Sequence, residues 1–432
     1  MTTDLKLFLF HEKLFIIYDI ALCNLEMLEF FSTHCACTKA RVGDSPVSAP
    51  FDRDLQYPSN ENQLEASPEN NAEMVKYEPN WSHYTLYSLI GHGFCDAVTV
   101  YLAKHRPSGT NVAIKKIDLE NVFTDIADLQ KEIALVQQLQ HDKILKFHTT
   151  FVYDHELWIV MPFMAYGSCK DIFHAYFTSG LPEQAIAYIL RDTIKSLEYL
   201  HSRGIIHRAV KASHVLISAS GNVQLSGLHN ALSMIQSGKR LRRLHDYPAS
   251  AINILLWLSP EILEQNMAGY DTRSDIYSIG ILACELANGY APFADMPVTQ
   301  MLLAKLNGTK PVLLDSRTIN EFGGVHSTLS NRLSTNIAKD SPAYTRTFSY
   351  AFHNFVDMCL EKEAHMRLPL SSLLNHAFLK NLRKNTADVL PGLLHPVTPL
   401  TDISKLPKQD VSEMDELIDA TEDISIEDKW IF

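Results

Sequence analysis

A switch in hydrophobic period constrains this chain more than any other feature. From Tyr84 to Met161 the apolar residues fall in short β-type runs: Ala97-Val98-Thr99-Val100-Tyr101-Leu102, Val112-Ala113-Ile114 and Leu157-Trp158-Ile159-Val160. One helical pattern, at 125–139, interrupts them. From Gly167 onward a 3.6-residue period takes over in Glu183–His201, Asp275–Asn288 and Val298–Leu306. A small sheet carrying one helix, followed by a larger helical lobe, is therefore expected, with a cleft between the two. The fold class is α+β and bilobal. At 432 residues, 46% of them hydrophobic, the chain has enough apolar surface for a sizeable core.

Composition sets the domain limits. Residues 41–80 are rich in Ser, Pro, Asn and Glu and read as a solvated linker, so 1–80 is expected to be a flexible N-terminal segment and 81–385 the folded domain. Within that domain, 311–345 lose the period and read as a mobile insertion. Residues 386–432 read as a Pro-containing and then acidic tail.

Charge and cysteine usage exclude several classes. The 38 Lys+Arg against 50 Asp+Glu give a net charge of −12, which offers nucleic acid no net attraction. Seven scattered cysteines without a CxxC pair propose neither a disulfide framework nor a zinc finger and fit a reducing compartment. His34-Cys35-Ala36-Cys37 lacks a second ligand pair, and no metal is assigned to it. Asp4, Lys6, His11, Glu12, Lys13 and Asp19 interrupt the apolar N-terminus before it reaches membrane-spanning length, which leaves an amphipathic or partner-bound helix as the alternative there.

The chemistry-bearing residues are ordered along the two lobes. Gly91 and Gly93 sit in the first strand turn, where glycines let backbone N–H groups approach phosphate oxygens. Lys115 ends Val112-Ala113-Ile114-Lys115 on a strand, and Glu132 falls in the following helix. His207-Arg208-Ala209-Val210-Lys211, Leu258-Ser259-Pro260-Glu261, Asp275 and Arg367 follow. Singly, these are a turn, a solvated lysine and a surface glutamate. Together, their order and spacing resemble a protein kinase domain, which implies a small β-rich N-lobe and a larger helical C-lobe. The resemblance also implies that Glu261 and Arg367 pair, that Lys115 pairs with Glu132 and reaches phosphate, that Val98, Ala113 and Leu216 sandwich adenine, and that Met164 offers a hinge hydrogen bond.

Departures from that pattern carry as much information. A kinase needs a carboxylate to orient the substrate hydroxyl, and a second carboxylate plus an amide to hold magnesium. Ala209 stands at the first position, His214 at the amide and Gly227 at the second carboxylate. Losing a positioned base alone typically costs roughly 10²–10⁴ in rate, so no catalytic residue is assigned. His214 and His229 are the candidates for replacing part of the metal's charge.

Longer strings narrow the likeness: Phe163-Met164-Ala165-Tyr166-Gly167-Ser168, Val210-Lys211-Ala212-Ser213-His214, Leu225-Ser226-Gly227-Leu228, Trp257-Leu258-Ser259-Pro260-Glu261 and Pro292-Phe293-Ala294-Asp295-Met296. They resemble the STRAD adaptor pseudokinases, the alpha form most. Lys115 is a departure, since the alpha form has arginine there.

The resemblance implies an inactive adaptor, cytoplasmic and nuclear, that binds ATP without hydrolysing it and leaves magnesium open. It further implies allosteric activation of a liver kinase B type Ser/Thr kinase together with a Mo-twenty-five type helical-repeat scaffold. Arg240, His245 and Tyr247, in the basic and aromatic stretch 239–247, are expected to meet the kinase. A nuclear-localisation patch or a plain solvated loop is the alternative for that stretch. Trp430 and Phe432, in an acidic terminus, are expected to meet the scaffold; folding back onto the helical lobe is the alternative for Trp430. A weak or atypical ATP-dependent kinase, supported by Lys115, Glu132 and Lys211, and a nucleotide-sensing scaffold for another partner are the rival functions.

Overall fold

The computed structural model describes residues 75–93, 97–122, 126–248, 251–265, 267–323, 342–382 and 385–400. The chain divides between Pro79 and Asn80, and the regular elements among the described residues all fall in the second unit. His34-Cys35-Ala36-Cys37, Trp430 and Phe432 lie outside the described residues.

The β-type runs form one antiparallel sheet of five strands in the order β1-β2-β3-β5-β4. These are β1 (Tyr84–His92), β2 (Val98–His105), β3 (Asn111–Asp118), β4 (Thr149–Tyr153) and β5 (Glu156–Pro162). Alternation fixes the register: Ala113 lies opposite Leu102 and Met161, and Lys115 opposite Val100 and Ile159. Helix α1 (Ile126–Gln138) follows β3 and buries Leu129, Glu132, Ile133 and Val136.

The second lobe is built from helices. α2 (Cys169–Ala175) begins with a reciprocal capping box between Ser168 and Asp171. It is followed by α3 (Glu183–Ser202), α4 (Pro260–Glu264), α5 (Arg273–Asn288), α6 (Val298–Leu306), α7 (Ser316–Gly323), α8 (Tyr350–Cys359), α9 (Leu370–Leu374), α10 (Ala377–Lys380) and α11 (Thr386–Leu393). Helix α5 is the centre of this lobe, because every residue from Ser274 to Asn288 is buried. α3 and α8 pack against it. A helix buried all round has to be enclosed by its neighbours, and its buried polar groups, Asp275 and Glu285 among them, have to find hydrogen-bond partners there. The short antiparallel strands Val215–Ile217 and Val223–Leu225 follow the expected catalytic loop.

The described residues of two segments, 311–323 with 342–345 and 386–400, make more fixed contacts than composition predicts. In 311–345, Asp315 is fully buried and accepts from the N–H groups of Arg317, Thr318 and Phe348 and from the His353 ring. Arg346 donates to Leu314 O at 2.7 Å, so the two ends of the segment are tied together. Polar residues there serve local hydrogen bonds, which a hydrophobic period does not register. The second segment is 386–400, where α11 packs on α3, and Leu390 in the helix and Leu394 and Val397 after it are buried. Its Thr386 hydroxyl donates to Asp192 at 2.7 Å, beside the Lys143–Asp192 ion pair of 2.9 Å.

Among the described residues, no helix is long and apolar enough to cross a membrane. Leu390→Ala or Leu394→Ala should each lower the unfolding free energy by about 2–4 kcal/mol in denaturant titrations, as for buried leucines generally. A change below about 0.5 kcal/mol, the usual size for surface substitutions, would mean that α11 is not docked.

Candidate functional site

The site is organised by one buried carboxylate. Asp275, in the first turn of α5, is fully buried and accepts the backbone N–H groups of His207 and Arg208, both at 2.9 Å. The His201 ring lies 2.8 Å from the same carboxylate. Burial alone would raise the Asp275 carboxyl, but the His201 hydrogen bond and the surrounding donors hold it below the usual carboxylate range. The loop is thereby forced through a left-handed residue, Arg208, with φ of +62°.

Arg208 extends this anchor into the following segment. Its guanidinium is buried and donates to Asn230 O at 2.6 Å, to Asp246 O at 3.2 Å and to the Tyr270 hydroxyl at 3.2 Å. Glu285 makes a second tie, accepting from the Ala212 N–H at 3.0 Å and the Trp257 indole N–H at 2.8 Å. Burial raises the Glu285 carboxyl to about 7 against those two donors and the Lys211 charge. The Glu261–Arg367 pair is present as two contacts, of 2.6 and 2.8 Å.

The three departures from the kinase pattern meet in space. His214 Nδ1 lies 2.7 Å from the Ala209 carbonyl, and its ring stands against Gly227. A Cβ on Gly227 would sit 2.4 Å from His214 Nδ1, and Gly227 has a φ of +79° that L side chains rarely adopt. The imidazole fills the space that any side chain at 227 would need. His207 and His229 flank it, with ring centroids 6.2 and 5.7 Å away. The His207 ring reaches Ser226 O through Nε2 and receives the Ala209 N–H on Nδ1, which fits one neutral tautomer.

These histidines do not carry the charge expected of them. Burial, aided by the charges of Lys211, His229 and His207, holds His214 well below the ordinary imidazole value. Burial and the nearby Lys115 and Lys211 bring His229 down to about 3. Both rings are neutral near pH 7 and so cannot replace metal charge. Ala209, a neutral His214 and Gly227 do not fit magnesium, and no group of three His, Cys, Asp or Glu suited to a metal occurs among the described residues.

The expected nucleotide residues are distributed as follows. Val98 and Ala113 are buried on β2 and β3, and Leu216 is half-buried on Val215–Ile217. The Met164 carbonyl accepts from the Gly167 N–H at 2.8 Å. The Gly93 N–H donates to Val98 O at 2.7 Å, and a Cβ there would strike the Val98 side chain at 2.3 Å, so hairpin closure by itself requires that glycine. Gly91 has no such restriction, with only Val100 Cβ at 3.9 Å.

No ion pair joins Lys115 to Glu132. The turn Leu228–Asn230 packs against α1, and the Lys115 charge instead acts on His229. Of the expected partner residues, Arg240, His245 and Tyr247 are exposed. Arg240 donates to His201 O at 2.9 Å and lines a cavity of about 550 Å³ with Arg242, Arg273, Glu198 and Asp271. Sequence reasoning missed the carbonyl ties of Arg208, and it missed Lys305, which is buried beside this segment. Met301 and Lys305 share a helix face at i, i+4, the one signal that the lysine points inward.

These lobes and this loop define a protein kinase domain, and the Protein kinase domain family model matches residues 84–379. The chain is 46% identical over 374 residues to STE20-related kinase adapter protein alpha of Bos taurus, covering 83% of this chain and 100% of the relative. The Homo sapiens alpha protein gives the same identity with 86% of the relative covered. The Homo sapiens beta protein is 40% identical over 356 residues, covering 79% of this chain and 85% of the relative. The chain belongs to the STE20-related kinase adapter family, the one its strings resemble.

Two outcomes follow from the packed histidines. Gly227→Asp alone should destabilise the fold by about 2 kcal/mol or more, and adding His214→Asn should recover about 1 kcal/mol in a double-mutant cycle. For His229, the folded value of about 3 lies below its ordinary 6.5, so the unfolded chain binds protons first as pH falls. Its contribution is whole above 6.5 and is lost progressively toward about 3. Melting temperatures recorded from pH 7 downward should therefore fall, and His229→Gln should make that fall shallower.

Proposed function

We propose that this chain is a catalytically inactive adaptor that binds and allosterically activates a liver kinase B type Ser/Thr kinase, together with a Mo-twenty-five type scaffold. One observation carries the inactivity: His214, a neutral imidazole, occupies the space beside Gly227 in which a metal-binding carboxylate would have to stand. Without that carboxylate and without a base at Ala209, neither the substrate hydroxyl nor the phosphate charge is managed. The adapter names of the relatives support the adaptor role; the partners are carried by the family likeness alone.

The residues fit a nucleotide better than they fit its metal. Val98, Ala113 and Leu216 supply apolar faces for a base, Lys115 a cation for phosphate and Met164 a hinge position. ATP would be bound, in this reading, and not turned over. Its role would be to stabilise the closed lobes by mass action. Arg240, His245 and Tyr247 would meet the kinase, and Trp430 and Phe432 the scaffold. The protein would act in the cytoplasm and nucleus.

The test is reconstitution of purified chain, kinase and scaffold, with kinase activity measured as each is omitted. Activity should depend on this chain, while the chain alone transfers no more phosphate than its Lys115→Met variant. Robust transfer that Lys115→Met abolishes would overturn the adaptor reading in favour of a weak kinase. Saturating ATP should raise the melting temperature by a few degrees, on the order expected for a ligand well above its Kd. An unchanged midpoint, with and without magnesium, would remove nucleotide from the proposal. Truncation before Trp430 should weaken scaffold binding and spare the direct kinase contact.

A further inference from the structure

Lys305 is fully buried on α6, an uncommon place for an ammonium. Its Nζ lies 3.1 Å from Leu255 O, 2.6 Å from Leu256 O and 2.7 Å from Leu258 O. Among the described residues no backbone N–H donates to those three carbonyls. The Tyr277 and Phe293 rings flank the nitrogen, with centroids at 5.2 and 5.9 Å. Burial pushes the amine well below its ordinary value, with Glu261 opposing. Three acceptors nevertheless require three N–H donors, which only the ammonium offers.

The carbonyls belong to the stretch that follows the proposed partner-facing surface. Arg208 grips Asp246 O just before Tyr247, and Lys305 grips 255–258 just after Ala251–Asn253. Between these two buried cations Tyr247 is 40% exposed and Ile252 77% exposed, while Ala251 and Ile254 point into the core. The turn has backbone bonds of its own, Ile254 N–H to Ala251 O and Trp257 N–H to Ile254 O, both at 2.9 Å, but none of them satisfies the carbonyls of Leu255, Leu256 and Leu258, which the cation holds in place.

We propose that Lys305 is a positioning residue for partner binding: its three hydrogen bonds set the backbone that presents Tyr247 and Ile252 outward. This rests on the reading that the segment meets the partner kinase. An apolar side chain of equal length would fill the volume and orphan all three carbonyls. Arginine would keep the charge, but its planar fork does not place three donors around one point.

The experiment uses the full chain and its Lys305→Met variant, with hydrogen exchange followed by peptide and affinity measured for a purified liver kinase B type kinase. Exchange across 251–258 should quicken by about tenfold or more while α3 and α5 stay unchanged, as for a local opening. Affinity should drop by about tenfold. Unchanged exchange in folded Lys305→Met overturns the proposal. Quickened exchange with unchanged affinity also overturns it, and Tyr247→Ala then locates the fault. If Tyr247→Ala weakens binding, only the role of Lys305 fails; if it does not, the reading of the segment as the kinase contact fails too. Should Lys305→Met not fold, Lys305→Arg replaces it: exchange across 251–258 should exceed that of the natural chain, and equality overturns the proposal.

Discussion

The buried carboxylate of Asp275 is the contact on which the rest of the site depends. Two consecutive backbone N–H groups and one imidazole converge on it from residues 67 to 74 positions away. An ionised carboxylate without water is costly unless its lone pairs are filled, so the donors and the acceptor require one another. Once Asp275 holds the loop, Arg208 is turned inward, and its guanidinium draws in Asn230, Asp246 and Tyr270. Lys305 does the same for 255–258. The main-chain carbonyls of Asn230, Asp246, Leu255, Leu256 and Leu258 are thus each met by a buried cation.

The centre of the site is chemically quiet for a related reason. Three imidazoles lie close together, and burial together with neighbouring positive charge keeps His214 and His229 unprotonated. Neutral rings pack where charged ones would repel. His214 and Gly227 share one volume, so the replacement of one constrains the other. Restoring a carboxylate at 227 therefore means removing the imidazole as well as changing the backbone's permitted side chain.

Legibility in the sequence followed the length scale of the interaction. Helices α1, α3, α5 and α6 come from residues within one or two turns of each other, and their periods are readable within a residue or two of the observed ends, whereas the apolar runs of β2 and β3 stop three and four residues short of the observed strand ends. The Glu261–Arg367 pair was legible only through family likeness. The contacts that hold residues 311–323, 342–345 and 386–400 are made by Asp315 and by Asp192 with Thr386, polar groups that carry no period, so no sequence pattern shows them. The expected Lys115–Glu132 pair was a matter of how α1 meets the turn Leu228–Asn230, which neither segment specifies alone.

The sequence by itself determined the order of the elements, the two-lobed class and the absence of carboxylates at Ala209 and Gly227. These are properties of residue identity and local spacing. Only the tertiary structure decided that His214 fills the space beside Gly227, that its ring is neutral, and that Lys305 closes on carbonyls 47 to 50 residues earlier. Burial sets both the steric exclusion and the protonation state. Burial is a property of how distant segments enclose a residue, and no local pattern encodes it.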